Sequence, residues 1–286
     1  MRRLDIGVSS YRNPEKLRVT LESIEQRSVT DWRCLIYHNP SEDDGTAWDV
    51  IKAAMNRNSR FLVAPLATNV GYAGAVAAFQ REASTEYLAY CDNDINILTD
   101  GWDEQLCFRL DANHEIGMIF PNGGAYQIDR GAYTEVMWGV GFCWVLNRAV
   151  MAEVGVFDTE LGHHEEVDYQ LRLRMAGWKC AALPQVRVQH DAAATNDPVQ
   201  LDRINAGIVR FVDKWCARLC GKHITYHSPN TLRFEDWPVN ALYLEEYWKE
   251  RMPGLNLDPL TKTLEGREYD LIMVPRLKNF YRGRIV

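Results

Sequence analysis

The chain has 286 residues, 47% hydrophobic and 25% charged, and its 32 basic against 39 acidic side chains give a formal net charge of −7. A hydrophobic fraction of that size fills a full core without cross-links, and the acidic balance excludes the general basic field that tight nonspecific nucleic-acid binding needs. The N-terminus, MRRLDIGVSS, carries no long apolar stretch, and nowhere do about 18 apolar residues run uninterrupted, which predicts a soluble, cytoplasmic protein without a transmembrane segment. The 7 cysteines, at 34, 91, 107, 143, 180, 216 and 220, form no Cys-x-x-Cys pair and no zinc-finger spacing. They read as reduced, mostly buried thiols, and Cys216 and Cys220, one helical turn apart, as packing residues.

Taken in order, Leu4–Ser9 is a first buried strand, and Asn13-Pro14 followed by EKLRVTLESI starts a helix. Trp32–His38 is a second strand, NPSEDDGT a polar turn, and Ala47–Met55 a second helix. Arg60–Ala67 is a third strand, Asn69-Val-Gly-Tyr-Ala-Gly a loop, and Ala75–Ala83 an alanine-rich helix before the strand Tyr87–Asp94. Repeated strand-helix alternation predicts an α/β fold with a doubly wound, mainly parallel sheet flanked by helices. Trp102–Leu110 then reads as a helix and Ile116–Phe120 as a fifth strand. Gly123–Gly141 is glycine-rich and irregular, and Gly141–Leu146 is a strand returning beneath the cleft. Helices follow at Arg148–Val154 and Glu165–Ala176, the latter with Val167, Leu171 and Met175 as a core-facing stripe. Cys180–Gln189 is a last strand leading into His190-Asp191, and Val199–Cys216 a long amphipathic helix. After Gly221 the chain grows richer in Trp, Tyr, Arg and Pro, with a short helix at Ala241–Arg251. A boundary there divides residues 1–221 from a C-terminal extension, 222–286.

The segment YLAYCDND carries the chemistry. A continuous apolar run is a strand covered on both faces, and ligands in open α/β sheets sit beyond the carboxyl ends of such strands. Asp92 and Asp94 therefore face a cleft. Two carboxylates that close repel one another and call for a cation, most simply Mg²⁺ or Mn²⁺ bound through oxygen. Taken alone, Asp-Asn-Asp is equally the composition of a turn. Trp138 and Trp144 read as ligand-contacting aromatics or, equally, as ordinary packing. His163 and His164 stand beside two glutamates but lack the His-Glu-x-x-His spacing of a zinc protease, leaving a cleft-lining or helix-entry role.

Together these segments resemble the inverting family 2 glycosyltransferases of the GT-A fold over roughly residues 4–215. IGVSSYRNPEKLRVTLESI looks like that family's first strand, Tyr-Asn loop and helix; IYHNPSEDDGT is similar to its nucleotide loop, and NVGYAGAVAAF to its sugar-nucleotide loop and helix. The Asp-x-Asp metal motif falls on Asp92-Asn93-Asp94, the Gly/Phe-Asp segment on VGVFD, the catalytic acidic segment on Glu165-Glu166-Val167-Asp168, and a metal-associated histidine on His190. The resemblance implies a metal-dependent transfer of a sugar from a nucleoside-diphosphate sugar to an acceptor hydroxyl. It places the donor on Ser9, Tyr11, Asn13, His38, Asn69, Gly71, Gly74, Asp92 and Asn93. It assigns the metal, Mn²⁺ or Mg²⁺, to Asp94 and His190 with Asp92 in support, and the acceptor to Trp138, Trp144 and His164.

Two positions depart from the pattern. The acid that commonly recognises the base corresponds to His38, and the usual catalytic Asp corresponds to Glu166. Within the acidic segment Glu165 and Asp168 share a helix face, where Asp168 can pair with Arg172. Glu166 lies about 100° round the helix from its neighbours, free to project into the cleft as general base. The acceptor stays open among a saccharide, a lipid-linked sugar, a protein and a modified nucleobase. Two competing readings keep the fold: a nucleotidyltransferase that makes sugar-nucleotides, and a sugar-nucleotide-binding module that has lost its base. The first lacks the glycine- and Arg/Lys-rich triphosphate loop near the N-terminus. Trp237, Tyr243, Tyr247, Trp248 and Tyr281, set among Arg and Lys, suggest an acceptor-side or self-association role for the extension, and through it a homo-oligomer.

Overall fold

Alternation of apolar strands with amphipathic helices builds the first half of the molecule. In the computed structural model β1 (Arg3–Ser10), β2 (Asp31–His38), β3 (Phe61–Pro65) and β4 (Tyr87–Asp92) are separated by α1 (Pro14–Arg27), α2 (Asp44–Arg57) and α3 (Gly71–Glu82). The description covers residues 3–41, 44–162 and 164–191, positions 207, 210, 211 and 214, and the backbone of 261–264 and 267–270. β1 pairs in parallel with β2 and β4, and β2 with β3. Successive residues of each strand face opposite sides, so both sides are apolar. Leu4, Ile6 and Val8 pack with Leu17, Leu21 and Ile24 of α1, whereas Leu35, Tyr37, Leu88 and Tyr90 pack with Val76 and Phe79 of α3. α3 comes so close that a Cβ on Gly7 would stand 2.6 Å from the Phe79 ring.

The second half runs β5 (Ile95–Ile97), α4 (Trp102–Ala112), β6 (Ile116–Pro121), β7 (Gly124–Asp129), β8 (Thr134–Gly139), β9 (Cys143–Asn147), α5 (Ala149–Val154), α6 (Glu165–Met175), β10 (Lys179–Leu183) and β11 (Val188–His190). The main sheet has 9 strands in the order β3-β2-β1-β4-β9-β6-β10-β8-β7. β9 enters antiparallel to both β4 and β6, so the sheet is mixed, with its parallel block in the N-terminal half. The doubly wound α/β reading holds.

Three sequence expectations need correction, the first being the loop expected over Asn69–Gly74, whose last four residues are already the first turn of α3. The glycine-rich segment after Gly123 is a β7–β8 hairpin; its turn is closed by Asp129 Oδ1, which accepts from the Gly131 N–H at 2.7 Å, with Gly131 at φ +76°. The single strand expected over Cys180–Gln189 is two, because Pro184 has no N–H for a ladder and the chain turns there, Val186 N–H reaching Leu183 O at 3.0 Å. β10 stays in the main sheet, while β11 joins β5 in a separate antiparallel pair.

Contacts divide the chain into two units, Met1–Ile204 and Asn205–Val286. In the second, β12 (Thr261–Leu264) and β13 (Arg267–Asp270) form an antiparallel hairpin. Positions 207, 210, 211 and 214 are helical. The rest of the helix expected over Val199–Cys216, the helix over Ala241–Arg251, Cys216, Cys220 and the five extension aromatics lie outside the described residues. Among the described residues no helix is long and apolar enough to cross a membrane. Cys34, Cys91, Cys107, Cys143 and Cys180 are buried free thiols.

Candidate active site

β4 delivers its carboxylates to the sheet edge, as the strand-end pattern requires. The Asp92 N–H donates to Phe142 O at 2.8 Å, the Asn93 side-chain amide donates to Tyr11 O at 3.0 Å, and Thr20 Oγ1 bonds both the N–H and the C=O of Ile95. The turn that carries Asp94 is thereby fixed on both sides. Register in the small sheet sets His190 opposite Ile95, and the Asp191 N–H donates to Asp94 O at 3.1 Å. His190 Nε2 consequently lies 3.2 Å from Asp94 Oδ1 and 3.9 Å from Asp92 Oδ2. One ligand atom from each of Asp92, Asp94 and His190 falls within 4.8 Å of the others. Phe142 stacks on the imidazole with centroids 4.4 Å apart and planes 23° apart. Burial, then the charges of Asp94 and Glu166, hold the Asp92 carboxyl well above the usual carboxylate range. Two carboxylates and an imidazole converging in this way fit a divalent cation, which would relieve that repulsion.

The acidic segment opens α6 after His164, whose backbone is left-handed at φ 62°. Asp168 is fully buried and pairs with Arg172 at 2.9 Å. Arg172 also donates to Val154 O and, at 3.0 Å, to Val156 O, tying the VGVFD segment to the helix. Glu165 is buried too. Glu166 alone of the three is half-exposed. Its side chain lies over Gly141, where a Cβ would meet Glu166 Cγ at 3.0 Å and Oε1 at 3.3 Å. Beside it the Tyr72 hydroxyl donates to Gly141 O at 3.0 Å. Burial foremost, then the Asp92 charge, pushes the Tyr72 phenol well up, so it remains a donor.

The residues expected on the donor side are gathered at the same edge, though several have internal tasks. Ser9 Oγ accepts from the Tyr90 hydroxyl at 2.7 Å. Tyr11 precedes two left-handed residues, Arg12 and Asn13, and Asn13 O accepts the first N–H groups of α1. Asn69 Oδ1 accepts the Gly71 N–H at 2.9 Å, and Gly71 has φ +69°. Gly74 is needed less for ligand approach than for packing, since a Cβ there would meet Val70 at 2.6 Å. His38, at the position of the usual base-reading acid, is closed in. It is 2% exposed, its Nδ1 lies 3.2 Å from Ser10 Oγ, and Trp48 meets its ring edge-on at 4.8 Å.

On the acceptor side Trp144 is corrected. It is 0% exposed and stacked between Tyr90 at 5.3 Å and Phe157 at 5.8 Å, so it is core and cannot receive a sugar. β9 is a central strand covered by helices, and sequence periodicity does not reveal which face its tryptophan takes. His164 is buried at the helix entry. The Trp138 side chain and His163 lie outside the described residues. Sequence reading missed Tyr72, Gly141 and Phe142. Their signal was aromatics adjoining glycines at two loops.

Residues 5–155 match the model of glycosyl transferase family 2. No curated protein sequence matches the chain. A mannosyltransferase from Pyrobaculum calidifontis, solved with GDP-Man and Mn²⁺, superposes with TM-score 0.62 at 14% identity over 78% of this chain and 66% of its own. GalNAc-T7, solved with UDP, GalNAc and Mn²⁺, superposes with TM-score 0.60 at 13% identity over 87% of this chain and 55% of its own. The chain therefore spans less than two thirds of the length of either. At such identity the likeness speaks for the fold, which is GT-A. With more than half of its length inside the family model and the GT-A sheet beneath the Asp-x-Asp turn, the chain belongs to glycosyl transferase family 2.

Proposed function

We propose that the chain transfers a sugar from a nucleoside-diphosphate sugar to an acceptor hydroxyl, with inversion, at a site where Asp94 and His190 hold Mn²⁺ with Asp92 in support. The observation that carries this reading is the convergence of Asp92, Asp94 and His190 within 4.8 Å, with Glu166 close enough for its charge to act on Asp92. A bound divalent cation supplies Lewis-acid stabilisation of the charge that grows on the departing diphosphate. An imidazole in the donor set favours Mn²⁺ over the harder Mg²⁺. Glu166 accepts the proton of the acceptor hydroxyl as that oxygen attacks the anomeric carbon from the face opposite the leaving group, which inverts the centre. Asp168 and Glu165, buried in α6, hold the helix entry. Asn93 anchors the Asp-x-Asp turn to the loop after β1, where the donor binds. The two neighbours were solved with a guanosine and a uridine nucleotide; His38, in the position of the usual base-reading acid, leaves the base of this donor open. The acceptor belongs among saccharides, lipid-linked sugars, proteins and modified nucleobases, and residues 222–286 serve it or a second subunit.

The test is incubation with a panel of nucleotide sugars and Mn²⁺, reading nucleoside diphosphate release by mass spectrometry and anomeric configuration by NMR. Release of diphosphate with an inverted product is expected. Pyrophosphate release from a nucleoside triphosphate and a sugar phosphate would assign a nucleotidyltransferase instead, and binding without turnover a module that has lost its base. Asp94→Ala should stay folded while losing nearly all turnover, since several kcal/mol of transition-state stabilisation go with the cation.

A further inference from the structure

Three of the groups given roles above rest on one short piece of chain between β8 and β9. Glu166 lies over the bare Cα of Gly141, with Cγ 3.0 Å from where a Cβ would stand. The next residue, Phe142, accepts the Asp92 N–H on its carbonyl at 2.8 Å and lays its ring on His190 at 4.4 Å. Base and metal ligands thus share a hinge, and a displacement of it moves both. The hinge is not part of a strand, since β8 ends at Gly139 and β9 begins at Cys143. Its hold from the other side of the cleft is the Tyr72 hydroxyl, which donates to Gly141 O at 3.0 Å. Tyr72 is in turn fixed edge-on against Tyr90 at 5.4 Å and Phe157 at 6.1 Å, so its hydroxyl has a defined place from which to donate.

We infer that Tyr72 is a positioning residue for the transfer: by anchoring the Gly141-Phe142 hinge from α3 it sets the distance between the proton acceptor on α6 and the ligands on β4 and β11. The inference rests on the reading of the site as a metal-dependent glycosyltransferase. Its physical basis is that small misplacements of a reacting group cost large factors in rate, and that groups which orient metal ligands govern affinity. A tyrosine present only to fill the core would contribute through its ring, which Phe supplies equally well.

The test compares wild type, Tyr72→Phe and Gly141→Ala in the full chain. It reads thermal stability, Mn²⁺ affinity from the EPR signal of free Mn²⁺, and kcat and KM for the donor. Tyr72→Phe should keep its melting temperature and donor KM while Mn²⁺ affinity and kcat each fall by about 10-fold. Gly141→Ala, whose new methyl presses on Glu166 and not on His190, should lower kcat by about 10-fold with Mn²⁺ affinity unchanged. Variants that equal an active, Mn²⁺-binding wild type in kcat and affinity overturn the positioning role alone. A melting temperature that falls in Tyr72→Phe, with kcat and affinity intact, overturns it in favour of plain packing. A wild type that neither binds Mn²⁺ nor transfers sugar overturns the parent reading, and this one with it.

Discussion

Glu166 lies against a side chain that is missing: a Cβ at 141 would stand 3.0 Å from its Cγ, so the carboxylate would have to shift. Glu166→Gln keeps that shape and would remove the proposed proton acceptor, so turnover should fall by about 10²- to 10⁴-fold while Mn²⁺ and donor still bind, measured by single-turnover kinetics and calorimetry. An acid that is fully buried has a structural task. Asp5, 0% exposed, takes two hydrogen bonds from Arg33, at 2.5 and 3.0 Å, and one from the Ser84 N–H at 2.7 Å. Burial alone would raise its pKa; the Arg33 hydrogen bond, the backbone N–H groups and the Arg33 charge outweigh burial and lower it. A folded pKa below the unfolded one stabilises the protein above the unfolded value, about 3.9, and that contribution drains away as pH falls toward the folded value. Asp5→Asn should therefore cost about 3 kcal/mol at pH 7 and less at pH 3, checked by urea unfolding at both.

Elements meet at distances set by glycine as much as by large side chains. Gly7→Ala drives a methyl into the Phe79 ring between β1 and α3, and should cost about 2 kcal/mol in chemical denaturation. Phe79→Leu in the same chain should return part of that loss, since the two changes share one contact. Strands and helices with strong local periodicity were legible in the sequence, β1 to β4 and α1 to α6 among them, because period and burial agree there. The Asp92–Asp94 turn was legible for the same reason, a strand ending abruptly in acid. Glu166 could be separated from Glu165 and Asp168 by helix geometry, and the Asp168–Arg172 pair was foreseen as its consequence. What could not be read depends on non-local pairing. The β7–β8 hairpin was hidden by its glycines. The insertion of β9 between β4 and β6 decides that Trp144 faces the core. Packing of Trp48 on His38, across β2 and α2, closes a position that strand-end logic would leave open.

Among the described residues the candidate site lies in the larger unit, and a second unit follows it in sequence. Truncation before Lys222 should leave donor and Mn²⁺ binding in place, because every residue assigned to them precedes it, and should lower transfer to the acceptor or change the oligomeric state. Calorimetry, product analysis and light scattering separate those effects; unchanged transfer and unchanged mass would remove any role for the extension. The small β5–β11 sheet has a consequence for how the chain reaches this state. Asp94 and His190 meet across α4, the β7–β8 hairpin and α6, a contact of high sequence separation whose formation closes a long loop. Until β11 is part of the chain, the acidic turn lacks both its histidine and the strand that pairs with β5. A cation bound to the finished cluster, as proposed, would hold the two ends of that long loop together, worth about 2.7 kcal/mol at a hundred times its dissociation constant. On the proposed metal site, manganese would raise the resistance of the folded chain to proteolysis independently of any turnover.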